Sequence, residues 1–375
     1  MFDSLNLEQR LLLLTSRLTF TQEEKDLIRE YSCNKKINWF EFFKMAIYHK
    51  TATLCWNNIN TIVPDVVMPT YLFYMMRYCK KEISRQNRMF IEEFNMVTKA
   101  LTDNEIVTVP VKGSRFVKTL YGCSGTRFMG DLDLLVYKKD GKRIKKTMNA
   151  LGYVQGKIDF KNLTVEPLSR AEEIKWKMSV SNFAPYVRLT GDELNPFFKF
   201  DFRHSLDDNL ENESIAEILN YKEINGDARP AHLFVHLCTH FYGEAKRTVS
   251  IFFSKDFNII KLTDIREFVK ANMDCAEWDE VIRFTKKYNF TKHVYFTLHI
   301  LNLLFADGYE EEIIERLGIE DLSFIDSFGD NTLDEKYISR RTLTERIFAC
   351  DNAEEIYEKP SFLVIDDCST ATNKE

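Results

Sequence analysis

Glycine and proline are scarce, 13 and 8 in 375 residues, against averages of about 7% and 5%. Turn-dense β-sandwiches and disordered linkers need more of both, so long helices are the expectation. The eight cysteines include no C-x-x-C pair. That excludes the common zinc-ribbon spacing, and a chain this long needs no disulfide staples, so reduced thiols in the cytoplasm are the reading. No window approaches the ~18 apolar residues of a membrane span. The start, MFDSLNLEQRLLLL, carries Asp3, Glu8 and Arg10 where an export signal has a basic start and an uninterrupted apolar run. A soluble protein is expected. Positive charge is not in excess either: the formal net charge is −6, which excludes wholesale wrapping around nucleic acid but leaves room for a local basic site. Internal repeats and low-complexity blocks are absent from the sequence.

What the chain has is apolar material, 45% hydrophobic with 13% aromatic, ample for a packed core. Residues 1–104 read as a helical region. Thr21-x-x-Glu24 and Asn38-x-x-Glu41 are predicted capping boxes, in which the first side chain accepts from a free backbone N–H and the second reaches back. After Pro69, the residues Leu72, Met76, Cys79, Ile83, Asn87, Phe90, Phe94, Val97 and Leu101 recur at steps of three and four, one stripe of a long helix. Packing within its own chain is favoured over a coiled-coil dimer, and a monomer is expected. Residues 105–206 read as mixed α/β, with strand patterns at 106–111, 131–137, 186–189 and 197–202 and a basic helix near 142–151. Residues 207–350 return to helical periodicity, and 351–375 form a polar tail expected to fray. The fold class is therefore α+β, a small mixed sheet flanked by helical N- and C-terminal regions.

Three aspartates stand out. Asp131 and Asp133 bracket Leu132 at the start of an apolar strand, so both carboxylates project from one face of the sheet. Paired carboxylates on a rigid edge can hold a hard divalent ion such as Mg²⁺; the bland alternative is two solvent-facing aspartates, although Asp is disfavoured in strands. In FFKFDFRHSL, Phe200 and Phe202 face inward while Asp201 shares the other face with Arg203. Asp201 is either the third acid of a triad or half of a surface ion pair. Upstream, Lys112, Gly113 and Ser114 lie where a strand ends and a helix begins, a place where free N–H groups favour phosphate. No Walker A loop and no G-x-G-x-x-G occurs. Arg127, four residues before Asp131, offers a planar fork of donors for a triphosphate, or is an ordinary surface cation.

The string KGSRFVKTLYGCSGTRFMGDLDLLV (112–136), then LGY (151–153) and FDFRHSL (200–206), resembles the uncharacterised nucleotidyltransferase family of the DNA polymerase β-like superfamily. The likeness extends to Trp39, Ala46 and His49 upstream and His232 with His236 downstream, covering about residues 38–275. It implies transfer of a nucleoside monophosphate from an NTP, most plausibly AMP from ATP, to an acceptor hydroxyl with release of pyrophosphate and two Mg²⁺ ions, Mn²⁺ being an alternative. By position it makes Asp131, Asp133 and Asp201 the metal-binding and catalytic acids. Gly113 and Ser114 are set against the phosphates; apart from the resemblance, Lys112 could serve a phosphate as Arg127 could, or be an ordinary surface cation. Relatives commonly place a histidine two residues after the third acid; here His204 stands three after Asp201.

Two further features have ready structural readings. His232, His236 and His240 share a helix face, but with Leu233, Val235 and Leu237 interleaved and no H-E-x-x-H they read as core histidines rather than zinc ligands. KKDGKRIKK (138–146) carries six basic residues; without interleaved aromatics it reads as a solvated face rather than an RNA platform. The acceptor stays open between small molecule, peptide, protein and RNA. The rival to catalysis is a silent nucleotide- or protein-binding platform on the same fold.

Overall fold

The computed structural model describes residues 4–179, 181–207, 212–253, 255–329 and 337–350; the tail predicted to fray, 351–375, lies outside them. Five helices open the chain: α1 (Leu7–Thr15), α2 (Gln22–Ser32), α3 (Trp39–Tyr48), α4 (Ala52–Ile62) and α5 (Thr70–Asp103). The Thr21/Glu24 capping box forms as predicted. Only half of the box expected at Asn38 does. Its side chain accepts from the N–H groups of Phe40 and Glu41, but its own N–H donates to Glu8 Oε1 at 2.7 Å rather than to Glu41. A tertiary partner thus replaces the local one.

The α/β part then runs β1 (Thr108–Pro110), α6 (Gly113–Thr119), β2 (Leu132–Val136), α7 (Gly141–Ala150), β3 (Val154–Asp159), β4 (Thr164–Pro167), α8 (Arg170–Ser179), β5 (Tyr186–Leu189), β6 (Phe197–Arg203) and α9 (Glu213–Asn225). The six strands form one mixed sheet in the order β1-β2-β6-β5-β3-β4, with β2 and β6 parallel. Pro110 is tolerated because β1 is an edge strand, where a missing donor costs no ladder bond. Helices α10 (Pro230–Lys246), α11 (Thr248–Phe252), α12 (Ile259–Asn272), α13 (Cys275–Lys287), α14 (Thr291–Leu304) and α15 (Glu310–Leu317) follow. A short ribbon, β7 (Ser327–Phe328) with β8 (Tyr337–Ile338), and α16 (Leu343–Phe348) close the described chain. The protein is α+β, 58% helical with helices flanking the sheet, as the composition led one to expect.

Two compact units divide the described residues. The first comprises 4–85, 120–128 and 230–350 and is helical but for the ribbon. Within it Gly125 has φ +80°, and a Cβ there would lie 2.1 Å from the Lys80 carbonyl oxygen, so only glycine fits. The second comprises 86–119 and 129–229 and holds the whole six-stranded sheet. Its core forms where the C-terminal half of α5 meets β6: Phe94 stacks on Phe200 (centroids 6.3 Å apart) and Phe90 meets Phe198 edge-on at 5.3 Å. Truncating one such ring to alanine costs about 3–5 kcal/mol. The α5 stripe is buried at Leu72, Met76, Phe90, Phe94, Val97 and Leu101, whereas Cys79 is exposed. Among the described residues no helix is long and apolar enough to cross a membrane, and the described cysteines are free thiols.

Candidate active site

The packing of β6 determines what its other face presents. Phe198, Phe200 and Phe202 are buried, so alternation turns Lys199, Asp201 and Arg203 to the opposite side. Parallel pairing with β2 then sets Leu132 beside Phe200 and Asp133 beside Asp201. Asp131, immediately before β2, completes a cluster: one carboxylate oxygen from each of Asp131, Asp133 and Asp201 lies within 4.8 Å of the others. The three acids picked from distant parts of the sequence are thus brought together.

Two ammonium groups already engage this cluster. Lys112 Nζ lies 2.7 Å from Asp133 Oδ1, and Lys199 Nζ lies 3.0 Å from Asp201 Oδ2. Lys112 sits between β1 and α6 with a left-handed φ of 53°, a conformation a non-glycine residue adopts at a cost and one that clusters at functional sites. Burial pushes the Asp133 carboxyl up to about 7, Asp131 and Asp201 adding to the rise and Lys112 opposing it. At Lys199 burial works against the ammonium, but the carboxylates of Asp201, Asp131 and Asp133 outweigh it and raise its pKa above the ordinary lysine value. Lys199 is the member of the site that sequence reasoning missed. The signal was present in K-x-D, where period-two alternation puts lysine on the face of the acid; between phenylalanines it reads as a solvated position.

The remaining expected residues are placed as follows. Gly113 and Ser114 begin α6, whose first-turn N–H groups have no intrahelical acceptor. A Cβ on Gly113 would meet Met129 Cγ at 3.4 Å, an ordinary contact, so the fold itself does not demand glycine there. The Ser114 hydroxyl is used internally: it lies 2.6 Å from the carbonyl oxygen of Val111 and 2.9 Å from that of Asp133, tying α6 to the strands. Arg127 belongs to the first unit, where its Nη2 lies 2.8 Å from Asp264 Oδ2; Asp264 also accepts from the Tyr121 hydroxyl at 2.7 Å. Arg203 is not the partner of Asp201 that a surface pair would require. It donates to the Ser205 carbonyl and the Ser181 hydroxyl. His204 is buried against Phe183, and burial, with Lys138 adding, lowers its pKa to about 4.

The flanking motif residues are structural. Trp39, Ala46 and His49 are buried, with Trp39 Nε1 donating to the Val67 carbonyl and His49 Nδ1 3.1 Å from that of Phe257. His232 lies 2.7 Å from Glu280 and packs on Phe284.

Three convergent carboxylates make a hard, all-oxygen donor set that suits Mg²⁺ or Mn²⁺; the cluster is a possible metal site of the kind phosphoryl-transfer enzymes place on a sheet. A small mixed sheet carrying such acids is a scaffold on which metal-dependent phosphoryl or nucleotidyl transfer can be built. The family described as uncharacterised nucleotidyltransferase matches residues 35–306, and the chain belongs to that family. No curated protein and no solved structure matches it.

Proposed function

We propose that the protein transfers a nucleoside monophosphate, AMP from ATP in the first instance, to an acceptor hydroxyl. The observation that carries this reading is the meeting of carboxylate oxygens of Asp131, Asp133 and Asp201 within 4.8 Å, with Asp133 and Asp201 on adjacent parallel strands and Asp131 just before the first of them. The acceptor oxygen bonds to the α-phosphorus, the α–β anhydride bond breaks, pyrophosphate leaves, and the hydroxyl proton is lost to solvent or a carboxylate. Bound divalent ions supply charge neutralisation at the α-phosphate and a lower pKa for the attacking hydroxyl.

Asp131 and Asp133 are the ligands that orient the triphosphate, and Asp201 serves the attacking side. Gly113 lets the chain approach the phosphates closely, and the backbone N–H of Ser114 faces them, since its hydroxyl is engaged elsewhere. Lys112, displaced from Asp133 when metal binds, is free to move to a non-bridging phosphate oxygen. Arg127 is a phosphate-binding candidate on the sequence alone; its guanidinium is held by Asp264 within the first unit. Free thiols fit a cytoplasmic setting.

The test is pyrophosphate release from each of the four NTPs with Mg²⁺ or Mn²⁺, beside a melting series with the same ligands. Asp131→Asn and Asp133→Asn should lose at least about a hundredfold in turnover while the Mg²⁺-dependent rise in melting temperature disappears. Undiminished turnover in both variants would overturn the proposal. A silent nucleotide-binding platform would instead show a nucleotide-dependent melting shift with no pyrophosphate from any NTP.

A further inference from the structure

The two lysines of the acid cluster differ in how they are held. Lys112 lies between a strand and a helix and reaches Asp133 from outside the ladder. Lys199 rises from the middle of β6, two residues from Asp201 on the same face, so the backbone itself keeps it beside that carboxylate. A loop lysine can move away when a stronger cation arrives. The backbone of a strand lysine stays where it is, because β6 is paired on both sides, with β2 and β5, so its ammonium remains within reach of Asp201 even when it swings aside.

We propose that Lys199 is a resident counter-ion for Asp201, so that the nucleotide-free protein takes one divalent cation, at Asp131 and Asp133, and admits a second at Asp201 only when a triphosphate brings its own negative charge. This rests on the nucleotidyltransferase reading above and adds to it an order of assembly. Fully ionised, the form that metal binding requires, three carboxylates and two ammonium groups give the cluster one net negative charge. One divalent ion that takes the place of Lys112 brings the ionised cluster to zero net charge, so a second ion finds no net attraction there and is repelled by the first ion and by Lys199 in a partly buried site. A triphosphate, carrying three to four negative charges, removes the barrier. Lys199 is thus a positioning residue: it holds the Asp201 carboxylate in place without occupying it irreversibly.

The experiment counts Mn²⁺ ions bound per chain by electron paramagnetic resonance of free Mn²⁺. The full-length protein is titrated with and without an NTP analogue whose α–β bridge is a methylene. The expected counts for the unaltered protein are one without the analogue and two with it. Lys199→Met, which keeps the side-chain volume, should bind two without nucleotide, or bind the first roughly tenfold tighter, whereas Lys199→Arg should behave as the parent. Asp201→Asn should stay at one even with the analogue, which tests the assignment should Lys199→Met fold poorly. Two ions in the unaltered protein without nucleotide, or identical isotherms for parent and Lys199→Met, overturn the counter-ion role and leave the enzyme reading standing. Absence of any bound Mn²⁺, or binding that survives in an Asp131→Asn, Asp133→Asn double variant, overturns both.

Discussion

Lys112 Nζ lies 2.7 Å from Asp133 Oδ1, yet the carboxyl is still pushed up to about 7 because its burial and its two acidic neighbours outweigh one ammonium. A group raised this way stabilises the fold fully below its unfolded value of 3.8, and that contribution is lost as pH rises through about 7. Metal binding reverses the sign, since the ion requires the ionised form. Below pH 7 the ion must expel a proton, and its apparent affinity should fall by up to about tenfold per pH unit. The Mg²⁺-induced rise in melting temperature should therefore be clearly larger at pH 8 than at pH 6. Equal rises at the two pH values would show that Asp133 does not bind the ion.

The parts of this site that were legible in the sequence are those with strict periodicity. Alternating phenylalanines placed β6, the apolar run after Asp131 placed β2, and together they named three acids. The register that sets Asp133 beside Asp201 was not legible, because strand pairing is a tertiary choice that one strand does not record. The β3–β4 hairpin was passed over because its residues are mostly exposed or half-buried, with too few core positions to alternate. Asn38 shows the same limit at smaller scale: its capping chemistry was read correctly, but the distant Glu8 took the place of the local Glu41.

Arg127 is held by Asp264, and Tyr121 donates to the same carboxylate. The phosphate role that the sequence assigns to Arg127 predicts that Arg127→Met raises KM for the NTP by about tenfold or more. Asp264→Asn should raise it less, since the arginine survives but loses its fixed orientation. A drop in melting temperature with KM unchanged in both variants would assign the pair to the fold alone. Arg127→Lys separates the two readings further, because an ammonium keeps the charge but not the two-pronged geometry.

Acid stability should depend on two histidines. Burial lowers the pKa of His49 to about 3 and, with Lys138 adding, that of His204 to about 4. A histidine whose folded pKa is depressed contributes its full stability above the unfolded value of 6.5, and the contribution is lost as pH falls toward the folded value. Each should remove on the order of 3–5 kcal/mol by the end of that range. In His49→Asn, which has no proton to gain, melting temperature should be lower at pH 7 but flatter between pH 6.5 and 4. A slope as steep as the parent's would show that His49 does not govern the acid limb.

Lys246, near the end of α10, is buried with its ammonium donating to three backbone carbonyls, those of Phe324, Ile325 and Ser327, while its charge lies 4.3 Å from the centre of the Phe296 ring. The Gly329 N–H returns to the Lys246 carbonyl at 2.8 Å, so the lysine fixes the segment leading into the ribbon from both its side chain and its backbone. Lys246→Met keeps the stem and the contact with Phe296 but leaves three carbonyls without this donor. The expected loss is about 2–4 kcal/mol, the usual cost of stranding buried acceptors, and denaturant unfolding measures it. Lys246→Arg should recover part of it, since its donors can still reach carbonyls, though the fork fits a compact cage poorly. A loss below 1 kcal/mol in the methionine variant would mean that water replaces the ammonium at these carbonyls.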